Sequence, residues 1–302
     1  VRYIDDIRNY IGNTPIMKLN NIGIKSRVNV FAKLEFLNPG GSVKDRIGVY
    51  MIEDAEKKGL LRDGYTIIEA TAGNTGIGIA LAAINKGYRI IFVVPEKFSV
   101  EKQTLMKALG AEIVNTPREE GMLGAVKKGN ELLETIKNSI NLKQFDNNSN
   151  PLAHYETTAP EIYKDLDGKI DYFLCGAGSG GTYTGVMKYL KEKNPNIKGI
   201  LVDPEGSTMG GGEEACYNIE GIGNNFIPKT MGMTYVDEVI KVNDEEAFYI
   251  VKQLALKEGL IVGTSSGAAV AAAIKLANKI DKGNIVTLLP DRGERYFSKS
   301  IY

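Results

Sequence analysis

The chain has 302 residues, with 37 lysines and arginines balancing 37 aspartates and glutamates. That length supports one large or two modest domains with real cores, and the charge balance argues against a nucleic-acid footprint or an electrostatic membrane surface. No apolar run approaches the ~18 residues of a membrane span. Residues 1–10 are charged and lack a signal-peptide core, and Cys175 and Cys216 stand without metal or redox spacing, so the expectation is a cytoplasmic enzyme.

In chain order, 16–19 and 28–36 read as strands. Asn38-Pro39-Gly40-Gly41-Ser42 then forms a turn, with Ser42 able to cap a helix over 44–58. Ile47, Met51 and Ala55 recur at a spacing of four on one face of that helix. Lys44 falls in its first turn, at the positive end of the dipole, where protonation is disfavoured. A lysine so placed is a candidate nucleophile of the kind that forms Schiff bases; the plain alternative is a solvated surface lysine. Strands at 66–69, 89–94, 112–114 and 142–145 alternate with helices at 77–85, 100–109 and 123–136. The polar stretch 146–151 breaks the pattern. Beyond it come the strand 170–175, the helix 183–193, the strand 199–203, an irregular Gly-rich region over 204–232, and a helix over 245–258. Asn243 and Glu246 give that helix a capping signal. A strand at 260–262, a helix at 268–278 and a strand at 284–289 close the chain. Such alternation predicts two three-layer α/β domains with mostly parallel sheets and a ligand cleft between them.

Three Gly-rich turns join a strand to a helix. Gly176, Gly178 and Gly181 satisfy the dinucleotide pattern G-x-G-x-x-G, and Asp203 lies about 20 residues on, where a ribose-binding acid belongs. A nicotinamide-dependent dehydrogenase is therefore one reading. A single phosphate is another, since Gly178, Ser179, Gly180, Gly181 and Thr182 offer close backbone amides and two hydroxyls at a helix N-terminus. Thr71, Ala72, Gly73, Asn74 and Thr75 make a receptor for a small carboxylate, or an ordinary N-cap. Ser265 and Ser266 open a third turn, where simple capping explains them. His154, the only histidine, has no nucleophile or acid set around it and reads as structural. No cluster has metal-ligand spacing.

A Schiff-base lysine, a phosphate cup and a carboxylate loop are the parts of a pyridoxal-phosphate enzyme. From Asn13-Thr14-Pro15 to Pro290-Asp291-Arg292-Gly293-Glu294-Arg295-Tyr296, the chain resembles the cysteine synthase and cystathionine β-synthase family. The Pro-Gly-Gly-Ser-Val-Lys-Asp-Arg stretch and the Gly-Asn-Thr-Gly loop are its most specific motifs. The resemblance implies the tryptophan synthase β-like fold (fold type II), with residues 1–41 and 146–302 in a large domain and 42–145 in a smaller, mobile one. It implies Lys44 as the catalytic residue bonded to pyridoxal 5'-phosphate, Asn74 at the ring's phenolic oxygen, Gly178 through Thr182 at the phosphate, and Ser265 at the pyridine nitrogen. Thr71, Ala72, Asn74, Thr75 and Gln144 would bind the substrate carboxylate.

The implied reaction is β-replacement on O-acetylserine or serine through an α-aminoacrylate. The stretches Val94-Pro95-Glu96-Lys97, 150–155, 202–207 and 243–248 look more like cystathionine β-synthases, whereas 121–125 and 263–269 look more like cysteine synthases. Ala72 replaces the family's usual serine, Ala70 its usual proline, and Asn224-Asn225 departs from both groups. Haem-binding and regulatory regions of the long members have no counterpart in the sequence. The expectation is a short, bacterial-type, O-acetylserine-dependent member that takes homocysteine and works as a homodimer, with cysteine synthase as the alternative. A catalytically silent interaction protein would need neither Lys44 nor the phosphate cup.

Overall fold

A computed structural model of the chain describes residues 3–24, 27–96 and 99–302. Val1, where the large-domain expectation starts, and Lys97, which ends one stretch of the resemblance, lie outside the described residues. The chain divides into two compact units. One consists of the segment through Ile11 with Asn38–Ser149, the other of Gly12–Leu37 with Asn150–Tyr302.

The first unit holds a four-stranded parallel sheet, made of β3 (Thr66–Ala70), β4 (Arg89–Pro95), β5 (Glu112–Thr116) and β6 (Ser139–Ile140), in the order β5-β4-β3-β6. Ile68, Ile91 and Val93 pack on one face against Ala125, Leu132 and Leu133 of α4 (Gly121–Thr135). Ile67 and Phe92 alternate to the other face and are equally buried. A parallel sheet covered on both faces reads as such near-continuous apolar runs. Helices α1 (Lys44–Lys57), α2 (Asn74–Ala82) and α3 (Val100–Ala108) complete the unit. The N-terminal segment groups here, against the expectation that all of 1–41 joins the larger domain. Arg8 provides one reason, donating from its guanidinium to the carbonyls of Ala82, the last residue of α2, and of Ile84 just beyond it.

The second unit holds six strands in the order β1-β2-β10-β7-β8-β9: β1 (Ile16–Lys18), β2 (Val28–Lys33), β7 (Tyr172–Gly176), β8 (Lys198–Pro204), β9 (Glu238–Val242) and β10 (Gly283–Leu288). Only the β1–β2 pair is antiparallel. Leu174, Ile200, Val202 and Ile285 face α8 (Asp244–Glu258) and α9 (Thr264–Lys279). Phe173, Cys175, Leu201 and Val286 face α7 (Gly181–Lys193) and the helical run ending in α6 (Ala159–Asp165). The period-2 alternation builds a helix–sheet–helix sandwich. That helical run starts at Ser149 as α5 (Ser149–Ala153) and passes through a π-turn at His154–Thr158, inside the expected polar break. Neither it nor β9 was predicted. No helix among the described residues is long and apolar enough to cross a membrane.

Residues 142–145, expected as a strand, are irregular. Pairing of β6 with β3 stops at Ile140 and Ile67, after which the Leu142 amide bonds the Glu69 carboxyl and the Lys143 amide bonds Asn141 Oδ1 instead of a ladder. Residues 260–262 likewise contribute only an isolated bridge, Val262 to Arg292.

Candidate active site

In the first unit Lys44 is the first residue of α1, partly exposed. The turn before it is held tightly. Gly41 has φ 80, a left-handed conformation that glycine adopts without strain. Gly40 donates its amide to the buried Asp45 carboxylate at 2.6 Å, and Ser42 Oγ accepts from the Lys44 amide at 3.2 Å. Behind Lys44, α1 and α2 approach at two glycines. A Cβ on Gly78 would lie 2.4 Å from the Lys44 carbonyl oxygen, and one on Gly48 would lie 2.3 Å from that of Gly78. Two side-chain-free positions therefore fix the height of Lys44 beside the start of α2.

That start carries the 71–75 loop. Thr71 and Thr75 are buried, while Ala72, Gly73 and Asn74 are partly exposed. Gly76 permits the fold-back, since a Cβ there would stand 2.9 Å from Thr71 Cγ2. Thr75 Oγ1 donates to Gln144 Oε1 at 2.6 Å, tying the two expected carboxylate-binding segments together. Gly73 is the N-cap of α2 with no side-chain cap, and a Cβ on it would meet nothing within 4 Å. An uncapped helix N-terminus beside open space is a receptor for a small anion.

In the second unit the 176–182 turn leads into α7, whose N-cap Gly180 is left-handed at φ 83 and also lacks a side-chain cap. Its glycines are demanded from behind. Cβ atoms would lie 2.5 Å from the Gly221 oxygen at Gly178, 2.5 Å from Met231 Cβ at Gly180 and 2.0 Å from Asn150 Oδ1 at Gly181. Asn150 Nδ2 donates to Ser179 Oγ at 2.9 Å, and Thr230 Oγ1 to the Ser179 carbonyl. His154 is buried between two threonines, with Nδ1 at 2.9 Å from Thr158 Oγ1 and Nε2 at 3.1 Å from Thr182 Oγ1. Asn224 Nδ2 donates to the Gly178 carbonyl at 2.5 Å, so this departure from the family braces the cup, whereas Asn225 turns to the exposed Glu214. Ser265 and Ser266 lie inside the first turn of α9, capped by neither; its N-cap is Gly263. Both are buried, and Ser266 Oγ has no hydrogen-bond partner. By contrast α8 carries the full Asn243–Glu246 capping box, and Ser99 caps α3. The helices that follow the Gly-rich turns, α2, α7 and α9, all keep their N-termini free of side-chain caps.

Asp203, the acid expected of a dinucleotide site, is fully buried and engaged at Oδ2 by Lys241 Nζ (2.6 Å) and the Gly210 amide (2.9 Å). It offers nothing to a ribose. Residues 7–291 match the family model described as pyridoxal-phosphate dependent enzyme. The chain belongs to that family. The family's cofactor is pyridoxal phosphate, and this replaces the dehydrogenase reading.

Among its relatives, this pyridoxal-phosphate dependent enzyme is 52% identical over 300 residues to the O-acetylserine dependent cystathionine beta-synthase of Bacillus subtilis, covering 99% of this chain and 98% of that one. It is 50% identical over 297 residues to a cysteine synthase of Helicobacter pylori, with 97% of each chain covered. The crystal structure of an O-acetylserine dependent cystathionine beta-synthase from Helicobacter pylori superposes with a TM-score of 0.95 at 48% identity, covering both chains fully. The residues present fit the cofactor: a glycine cradle that any Cβ would disrupt stands at an uncapped helix N-terminus for a phosphate, and a lysine is held at a fixed helix position.

Asp45, Gly48, Gly78, Glu69, Asn150, His154 and Asn224 support these segments, and sequence reasoning assigned none of them that part. Each acts through a contact that no local spacing announces.

Proposed function

We propose that this enzyme catalyses β-replacement on O-acetylserine, with homocysteine as the thiol and cystathionine as product. The observation that carries the reading is Lys44 at the first position of α1, locked beside the 71–75 loop by the Gly48–Gly78 approach. Lys44 Nζ would hold the cofactor at rest. Gly178, Ser179, Gly180, Gly181 and Thr182 would bind its phosphate through backbone amides and hydroxyls at the positive end of α7. Asn74 would donate to the phenolic oxygen, and Ser265 would face the pyridine nitrogen. A neutral serine there does not hold that nitrogen protonated as an aspartate would, which favours loss of a β-leaving group over transamination.

Once bound, pyridoxal phosphate supplies the electron sink for the substrate's α-carbon. Thr71, Ala72, Asn74, Thr75 and Gln144 would bind the substrate carboxylate with the help of the α2 dipole, placing the α-hydrogen towards Lys44. Lys44 Nζ, neutral when not bonded to the cofactor, would take the α-proton as general base and return it after the thiol has added. The acetate leaves from the β-carbon, and the homocysteine sulfur forms the new bond there. Similarity to the Bacillus subtilis relative supports homocysteine, while similarity to the cysteine synthases supports sulfide as the alternative nucleophile. We propose residues 42–145 as a mobile domain, and a cytoplasmic homodimer as the working form.

A competition assay tests the choice of thiol. With O-acetylserine or serine as donor and homocysteine and sulfide together, cystathionine should dominate with O-acetylserine. Cysteine as the main product would overturn the homocysteine assignment while leaving β-replacement intact.

A further inference from the structure

Glu69 is a buried carboxyl to which the proposed chemistry gives no task. It is the fourth residue of β3, only 4% exposed, just before the 71–75 loop. The Leu142 amide donates to its Oε2 at 3.0 Å, and the dipoles of the Lys143 and Gln144 amides act on the same carboxyl. Lys143, in the middle of this turn, has φ 54, and its amide is also 2.7 Å from Asn141 Oδ1. A side chain in the left-handed region persists only where its surroundings over-determine it. One residue on, Gln144 meets Thr75.

We propose that Glu69 is a positioning residue for the substrate carboxylate: by accepting from the Leu142 amide at the head of the turn, it fixes the turn that delivers Gln144 to Thr75. This rests on the reading of 71–75 and Gln144 as the carboxylate receptor. An ionised carboxylate offers acceptor sites on both oxygens and no donor, whereas a glutamine turns one of those oxygens into an NH2 donor beside the amides of 142–144. Burial pushes the Glu69 carboxyl up to about 7, against the pull of the three amides and of Lys143, the charged group acting on it. Its acceptor strength therefore changes between pH 6 and pH 8.

The test is binding of L-alanine, an amino acid without a β-leaving group, to the holoenzyme at pH 6 and pH 8. Wild type, Glu69→Gln, Gln144→Ala and the double variant are compared, with hydrogen exchange followed at 142–144. At pH 8 each single change should weaken binding about tenfold, and the double change should add little, because the two act as one unit. The Glu69→Gln to wild-type ratio should shrink towards one at pH 6; taking a ratio cancels titration of alanine's own amine. Amides 142–144 should exchange faster in Glu69→Gln while α9 stays protected. Glu69→Asp keeps the charge but withdraws it from the amides, and a partial loss of affinity is expected, so the test stands even where the glutamine variant does not fold. Normal binding by the Glu69 variants, fully multiplicative effects in the double variant, or a ratio indifferent to pH would overturn the inference. Unchanged binding by Gln144→Ala would instead bring down the carboxylate-loop reading itself, and the inference with it.

Discussion

Lys44 stands at the end of α1 where the dipole least welcomes a cation, and this single position organises the residue-scale account. Its neighbours were legible because they are adjacent in sequence: the Pro-Gly-Gly turn, Ser42, and a helix whose apolar spacing starts at Ile47. His154 was not legible, because a lone histidine says nothing about a threonine 28 positions away. Its imidazole joins Thr158 to Thr182, the last residue of the proposed phosphate cup. His154→Ala should leave both hydroxyls without this buried partner, at a cost of about 1–3 kcal/mol in stability. Cofactor titration should show weaker pyridoxal phosphate binding; unchanged affinity and melting temperature would detach His154 from the cup. Glu69 makes the second residue-scale prediction. Its native value of about 7 lies above the ordinary 4.5, so between these pH values the native state holds more protons than the unfolded one. The stability it contributes is therefore fully present below pH 4.5 and lost as pH rises through 7, by about 3 kcal/mol as an order of magnitude. In urea titrations wild type should lose stability relative to Glu69→Gln between pH 5 and pH 7.5. Parallel curves for the two proteins would contradict this.

Among elements, the alternation of strands and helices could be read because each has its own period, 2 or 3.6 residues. The misses have physical causes. Residues 142–145 are bounded by the apolar Leu142 and Phe145, but side chains take the amides a ladder would use, Glu69 that of Leu142 and Asn141 that of Lys143. The helical run from Ser149 begins inside a stretch rich in Asn and Ser, residues that favour turns locally but are also helix starters. Helix spacing is governed by glycines whose importance lies in the partner helix. Gly78→Ala would drive a methyl into the Lys44 carbonyl. It should destabilise by about 1–3 kcal/mol and depress turnover by displacing Lys44. Gly129→Ala, on α4, is the contrasting case, since its methyl would come no nearer than 3.9 Å to Val93. That change should stabilise by roughly 0.5–1 kcal/mol through helix propensity alone. Thermal unfolding of the two variants checks the pair, and equal effects would remove the case for a tuned α1–α2 approach.

At the scale of the whole molecule, two α/β units divide the chemistry. One carries Lys44 and the proposed carboxylate loop; the other carries the proposed phosphate cup and the serines of α9. The order of units along the chain could not be read from periodicity, because chain entry and exit points depend on contacts such as Arg8 to the end of α2. The Gly-rich turns stand out in the sequence as candidate ligand sites, yet the literal dinucleotide pattern at Gly176, Gly178 and Gly181 points to the wrong cofactor. Only the burial of Asp203 under Lys241 and the family match separate the two readings. In the proposed reaction Lys44 anchors the cofactor. Borohydride reduction of the holoenzyme, followed by proteolysis and peptide mass mapping, tests it most directly. A pyridoxyl group is expected on the peptide containing Lys44 and on no other; the same group fixed on a different lysine, with Lys44 unmodified, would rule Lys44 out as the anchor.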